Sequence, residues 1–455
     1  MATEYRTETI FTWGAPPLKF GVGALDELGF DLGQMGLSRV LIVTDEGVAA
    51  TGVPQRAAES MQSAGLKPTI FSGVHVEPTD QSLREAADFA RDTDWDGFVA
   101  IGGGSSIDTA KAINLLTTNP GDLMDYINKP VGGGKAPTQP LKPLIAVPTT
   151  AGTGSESTAM CVLDVLALKV KTGISHPKLR PVLAVVDPLT TLTVPPHVTA
   201  STGLDVLCHA LESYTARHYE SYARRRPEQR AVYVGNNPVS DAFIEKALPL
   251  LSRSFRRAVL TGNDLAARTD MIMAASFAGM GFGNAGVHLP HACAYPIAGL
   301  VASPMAQTAI VSGSQPGHSS RGETPRTPPV RGYRPPDYPQ AEPMVPHGES
   351  VSLTAPAAFR FTFPSDPERH LRAAALLDPR AADSGEPRER LPRAIVSLMR
   401  DIGMPNGIGA IGFRDEDIPD LVEGTLKQQR ILSMAPRDVM PEDLAAIFRN
   451  SIDNW

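Results

Sequence analysis

Over the first 190 residues, short apolar runs alternate with amphipathic stretches. RVLIVTDEG, PTIFSGV, DGFVAIGGG and PLIAVPTT are apolar runs of strand length that end in polar or glycine-rich tips. Between them lie RAAESMQSAGL, SLREAADFARD and IDTAKAINLLTT, which read as helices. Strands separated by helices in this way predict a parallel sheet with helices packed on its faces. VLAVVDP, at residues 182–188, reads as the last strand. Beyond it come long stretches with apolar positions at i, i+3 and i+4: ASTGLDVLCHALESYTARHY, VSDAFIEKALPLLSRSFRRAVL and DLAARTDMIMAASFAGMGFG. The pattern predicts an α/β domain over residues 1–190 followed by an all-α domain over residues 191–455.

Two stretches break this pattern. Residues 217–238 are basic and polar. Residues 312–350 are rich in proline, serine and arginine and hold His318 and His347. Residues 301–329 lack the composition to bury a core. They read as a mobile surface insert, or as misread sequence, with His318 a bystander.

Composition narrows the function. At 455 residues, 42% hydrophobic and 20% charged, the chain is an ordinary globular protein with room for a large core. A net charge of −7 gives no reason to expect nucleic acid or an anionic membrane as partner. Cys161, Cys208 and Cys293 have no metal-finger spacing, and their odd number argues against a disulfide framework. No run approaches the roughly 18 apolar residues of a membrane span. The opening MATEYRTETIFTWGAPP has acidic residues and no apolar segment, which sets the expectation of a cytoplasmic protein.

In AIGGGSSIDTAK a strand runs through Gly102, Gly103, Gly104 and Ser105 into a helix. Backbone N–H groups can approach phosphate there, and the helix N-terminus favours negative charge. The spacing is not the G-x-G-x-x-G of the usual Rossmann fingerprint. PTTAGTGSES is a second such loop after another strand, and the two together suit a dinucleotide. Asp45, at the tip of RVLIVTDEG, can accept hydrogen bonds from a ribose diol, and is equally suited to cap a turn. In GLDVLCHALESY, Asp205 and His209 stand four apart and face one way on a helix. That is half of a divalent metal site, or a plain side-chain pair. GNAGVHLPHACAYP adds His288 and His291, and VPHGES adds His347. His75, His176, His197, His218 and His370 stand singly and read as structural or surface residues.

GGGSSIDTAK, PTTAGTGSE, GLDVLCHALESY, HACAYP and VPHG together resemble the iron-containing (group III) alcohol dehydrogenase family, in that family's order. The chain is most similar to its hydroxyacid–oxoacid transhydrogenase branch, through GFGNAGVHLPHACAYPIAGLV, VEPTD and LKPLIAVPTTAGTGSES. The resemblance implies a dinucleotide-binding α/β domain, a helical metal-binding domain and an active site between them. It implies Asp205, His209, His291 and His347 as ligands of a divalent metal, iron or alternatively zinc. It implies NAD on Gly102, Gly103, Gly104, Ser105 and Asp108, with Thr149, Thr150, Thr153 and Lys171 as further contacts and Asp45 setting the preference for NAD. Pro296 marks His291 as the ligand, leaving His288 as a neighbour that supports the site or meets substrate. Many relatives carry a second histidine where this chain has Tyr295. The transhydrogenase-like branch has tyrosine there too, and the proton relay stays unassigned.

The activity so implied is metal-assisted hydride transfer through bound NAD, from 4-hydroxybutyrate to 2-oxoglutarate. An ordinary NAD-dependent alcohol or 4-hydroxybutyrate dehydrogenase with exchangeable cofactor shares the same motifs, and an inactive scaffold protein is the reading from another class. Small hydroxy and oxo acids are then the partners, with a homo-oligomer implied by the family. Their carboxylates call for a lysine or arginine in the cleft, which the sequence does not identify. Deleting residues 303–328 is expected to leave metal content and activity in place. Loss of both would make His318 part of the site.

Overall fold

The structure is a computed structural model that describes residues 6–168, 170–301, 333–335, 344–380 and 385–455. His318 and all of the expected insert after Val301 lie outside the described residues.

Six strands form a parallel sheet: β1 (Leu18–Phe20), β2 (Arg39–Val43), β3 (Lys67–Phe71), β4 (Gly97–Gly102), β5 (Leu144–Pro148) and β8 (Leu183–Val186), in the order β1-β8-β5-β4-β2-β3. Alternate residues of the central strands feed two separate cores. Val40, Ile42, Val99, Ile101, Ile145 and Val147 pack with Leu28, Leu32 and Met61 on one face. Leu41, Val43, Phe98, Ala100, Leu144 and Ala146 pack with Ile107, Ala110 and Ile113 on the other. Burial of both faces is why these strands read as continuous apolar runs. Helices α1 (Val53–Ser63), α2 (Asp80–Arg91) and α3 (Gly104–Thr118) make the crossovers.

Two features escaped the sequence pattern. β1 is only three residues long, too short to show a period, and it gains strand geometry by pairing with β8. β6 (Met160–Val165) and β7 (Val170–Ser175) form a separate antiparallel hairpin, and β7, VKTGIS, is too polar to read as a strand. The hairpin places Lys171 opposite Asp164.

After β8 the described regular structure is helical. It includes α4 (Pro196–Thr215), α5 (Pro238–Leu260), α6 (Leu265–Ala285), α7 (Leu289–Val301) and α8 (His347–Thr362), sharing one apolar core. The loop after β5 presses directly against α6. A Cβ on Gly154 (φ +59°) would lie 2.6 Å from Gly279 Cα, so neither glycine has room for a side chain. Beside them the buried Glu156 accepts a hydrogen bond from Ser276 Oγ at 2.9 Å. Trp13 Nε1 donates to Met280 O, and Asn284 Nδ2 to Gly14 O, from the same helix. These contacts hold sheet and helices as the two walls of one cleft.

Gly154→Ala is expected to cost about 1–3 kcal/mol of stability, since the added methyl meets backbone and the left-handed conformation disfavours it. Urea unfolding measures this, and an unchanged midpoint would refute the tight seam.

Candidate metal centre and cofactor cleft

α4 carries Asp205, His209 and Glu212 at i, i+4 and i+7, so one buried face presents two carboxylates and an imidazole. α7 brings His291 and α8 brings His347 to the same place. His291 Nε2 lies 3.5 Å, His209 Nε2 3.6 Å and His347 Nε2 3.7 Å from one oxygen, Asp205 Oδ1. The approach of α8 depends on Gly348, where a Cβ would lie 2.0 Å from Ser201 O and 2.9 Å from Asp205 Cβ.

Does this set fit a metal ion? Asp205 Oδ1 and His291 Nε2 are buried and make no hydrogen bond. The ligand atoms of Asp205, His209 and His291 all lie within 4.8 Å of one another. One carboxylate and three imidazoles converging on a point, with orphaned lone pairs facing inward, fit a divalent cation such as iron or zinc. Glu212 orients the group. Its Oε2 stands 2.5 Å from His291 Nδ1, while Oε1 accepts from the backbone N–H of His288 and His291. That bond places the His291 proton on Nδ1 and leaves Nε2 free to ligate. Glu212 was not singled out from the sequence, although its spacing from Asp205 and His209 on one helix face was there to be read.

Electrostatics agree with this assignment. Burial opposes ionisation of Asp205, yet His209, His347 and His291 hold its carboxyl well below the usual range. Burial pushes His209 down to about 3 and also lowers His347. Burial works against a charged His291 too, but Glu212 and Asp205 outweigh it and push the pKa up to about 10.

The cofactor loops form the opposite wall. Thr149 N donates to Gly102 O at 3.0 Å, tying the tips of β4 and β5 together. A Cβ on Gly104 would lie 2.7 Å from Thr153 Cγ2, and one on Gly103 3.4 Å from Thr150 Oγ1. Bare backbone at the N-terminus of a fifteen-residue helix is a cradle suited to a pyrophosphate. Asp45 stands beside it, accepting from Ser106 Oγ at 3.1 Å and capping the next turn through Val48 N, so its geometry is that of a turn cap. Asp108 is engaged differently from the glycines. It binds Val162 N at 2.9 Å and Lys111 at 3.2 Å, and Lys111 bonds Ser155 O, Thr158 Oγ1 and Met160 O, so the pair braces the two loops.

The cleft between the walls is lined by Gly104, Ser105, Asp108 and Thr153 from one side and by Asp205, His209, His291, His347 and Tyr295 from the other. Lys171 lines it as well, paired with Glu77 and, at 3.2 Å, with Asp164. Glu77, Tyr233, Phe282 and Arg430 also line it, and none of the four was anticipated. Phe282 stacks on His209 with ring centroids 3.8 Å apart, giving the centre an apolar side. The Tyr295 ring is 6.4 Å from that of His347, and burial pushes its phenol up to about 12, so it stays protonated at neutral pH.

His288 is close in sequence but does not line the cleft. Its Nδ1 accepts from Leu289 N at 2.8 Å and its Nε2 meets Thr215 Oγ1 at 3.0 Å, which uses both ring nitrogens in packing. His197 pairs with Glu349 and His370 with Thr362, and neither histidine lines the cleft. The three cysteines are buried and free.

Two outcomes test the centre. Metal and proton compete for His291 Nε2, because the metal-free residue stays charged up to a pKa of about 10. Affinity for a divalent ion is therefore expected to rise with pH between about 6 and 9, with about one proton released per ion. Calorimetry in buffers of different ionisation enthalpy measures that proton. Glu212→Gln is expected to weaken metal affinity about 10- to 100-fold in chelator competition, and unchanged affinity would deny Glu212 its orienting role.

Comparison with known proteins gives two family matches along the chain. The family model described as iron-containing alcohol dehydrogenase matches residues 16–188. That of the Fe-containing alcohol dehydrogenase family, C-terminal, matches residues 228–312 and 340–452. The chain is 42% identical over 451 residues to the mitochondrial hydroxyacid-oxoacid transhydrogenase of Bos taurus, covering 98% of this chain and 91% of that protein. It is 39% identical to the probable mitochondrial hydroxyacid-oxoacid transhydrogenase of Dictyostelium discoideum, covering 98% and 80%. Among solved structures, a 1,3-propanediol oxidoreductase superposes with a TM-score of 0.79 at 29% identity, covering 97% of this chain and all of that one. Sulfoacetaldehyde reductase from Bifidobacterium kashiwanohense, in complex with NAD+, gives 0.75 at 26%, covering 97% and 98%.

These relatives overturn the expectation of a cytoplasmic protein, since those named as hydroxyacid-oxoacid transhydrogenases are mitochondrial. A targeting address is read by receptors and is separate from the fold, so composition was a poor guide to it. With family matches across both halves and relatives alike over nearly its whole length, the chain belongs to the iron-containing alcohol dehydrogenase family and is a metal-dependent oxidoreductase.

Proposed function

We propose that the protein is a hydroxyacid–oxoacid transhydrogenase. The observation that carries this reading is its 42% identity, over 98% of the chain, to relatives of that name. In this reading 4-hydroxybutyrate gives up hydride and leaves as succinate semialdehyde, and 2-oxoglutarate accepts it and leaves as 2-hydroxyglutarate. Both substrates then use the same cleft in turn.

The groups to be bound supply Lewis acidity toward a hydroxyl or carbonyl oxygen, in the metal ion, and a hydride acceptor, in NAD. The chain's residues do the rest. Asp205, His209, His291 and His347 hold the ion, and Glu212 keeps His291 in the ligating tautomer. Gly102, Gly103, Gly104 and Ser105 present backbone to the pyrophosphate. Thr149, Thr150 and Thr153 line the facing loop, with Asp45 assigned in this reading to the ribose hydroxyls and Lys171 to a further cofactor contact. Phe282 and Val287 keep water from the reacting carbons. Tyr295 offers a protonated phenol beside His347, the position from which a proton can pass to or from the substrate oxygen. Residues 1–190 and 191–455 act in this account as cofactor and metal domains, and a homo-oligomer is part of the same reading.

The test uses the purified protein with no NAD added. Mixed with 4-hydroxybutyrate and 2-oxoglutarate it is expected to form 2-hydroxyglutarate and succinate semialdehyde in equal amounts. No 2-hydroxyglutarate, with NADH accumulating once free NAD is supplied, would instead make the protein an ordinary dehydrogenase with exchangeable cofactor.

A further inference from the structure

An organic acid entering this cleft loses water from its carboxylate and needs a cation with hydrogen-bond donors in return. Apart from the imidazoles at the metal centre, the cationic side chains lining the cleft among the described residues are Lys171 and Arg430. Lys171 is already taken: Glu77 and Asp164 both pair with it, so the cluster carries excess negative charge and would repel a third carboxylate. Arg430 is in the opposite condition. It makes no ion pair among the described residues, and its described hydrogen bond is a long one, from Nη1 to Ser175 Oγ at 3.4 Å. Its guanidinium lies 5.3 Å from the centre of the Tyr233 ring, within cation–π range, which limits where the fork can go without using its N–H groups.

The position is as suitable as the charge. Arg430 is exposed on the short helix Gln429–Leu432, while the next residue, Ile431, is buried and lines the cleft. The backbone is thus anchored, and apart from the long bond to Ser175 the guanidinium N–H groups have no hydrogen-bond partner among the described residues. Ile431, Val287 and Phe282 add apolar surface to the same cleft, suited to methylene groups between a reacting oxygen and a distant carboxylate.

We propose that Arg430 binds the substrate carboxylate and is the residue that makes the enzyme prefer hydroxy acids and oxo acids over neutral alcohols. This rests on the substrate class proposed above. Arginine suits the task because its planar fork meets a carboxylate with two parallel hydrogen bonds, which a lysine cannot do.

The experiment compares 4-hydroxybutyrate with butan-1-ol, which has the same chain length and no carboxylate, using wild type, Arg430→Gln and Arg430→Lys as metal-loaded full-length enzymes. In Arg430→Gln the ratio of kcat/KM for the acid over the alcohol is expected to fall about 30-fold, carried by KM rather than kcat, with Arg430→Lys recovering part of it. An acid preference retained in Arg430→Gln, or an equal loss on both substrates, overturns the proposal. So does weakened NAD binding with the preference intact, which would make Arg430 a cofactor residue. The hydride-shuttling cycle fails separately: a wild type that only reduces free NAD loses that reading, while its acid preference, and the loss of it in the variant, can still be measured. A wild type indifferent to the carboxylate refutes both.

Discussion

One buried carboxylate constrains the rest of the molecule. Asp205 lies inside a helical core with its Oδ1 unbonded and three imidazole nitrogens between 3.5 and 3.7 Å away. Removing such a group from water is costly unless charge of opposite sign replaces the solvent. The imidazoles can do this only in part, because burial drives His209 and His347 toward their neutral forms. A divalent ion completes the balance, so the centre is best understood as built around one. The converging helices follow from the same need. α4, α7 and α8 each deliver ligands from different parts of the chain, and Gly348 lets α8 come close enough to α4 for His347 to take part.

The cleft exists because two different kinds of packing meet along a seam. The sheet buries both of its faces and leaves only its strand tips for chemistry, where the glycine loops lie. The helical part buries its own large core and exposes the metal face of α4 toward those tips. Gly154 against Gly279 and Glu156 against Ser276 fix the spacing between them. Asp108 and Lys111 brace the cofactor side internally. A motif that looks like phosphate-binding sequence thus has two jobs: its glycines offer bare backbone, and its charged pair holds the loops in register.

Charge inside the cleft is divided by role. Glu77, Lys171 and Asp164 form a closed cluster beside the cofactor loops, with burial opposing the Lys171 charge and the two carboxylates outweighing it. Arg430 is held by an aromatic ring and keeps most of its donors. Two cations in one cleft therefore offer an incoming anion quite different receptions, and the difference comes from their partners rather than their type.

The sequence by itself determined the alternation of buried strands and helices, the glycine-rich tips and the chemical types of the ligands. The first two are local properties, since a doubly buried strand must be apolar and a phosphate loop must lack side chains, whereas His291 and His347 were marked as ligands by the resemblance of HACAYP and VPHG to the family. The pairing of Asp205 with His209 was legible because four residues on a helix make one face, and Glu212 could have been read from the same spacing. What the tertiary structure decided was everything that depends on distant segments meeting. β1 is a strand only because β8 pairs with it, and His288, as close to the motif as His291, is spent on Thr215 and Leu289 N. Lys171 is neutralised by partners 94 and 7 residues away, and Arg430 reaches the cleft from near the end of the chain. A side chain's availability depends on what else packs beside it, and no local pattern carries that information.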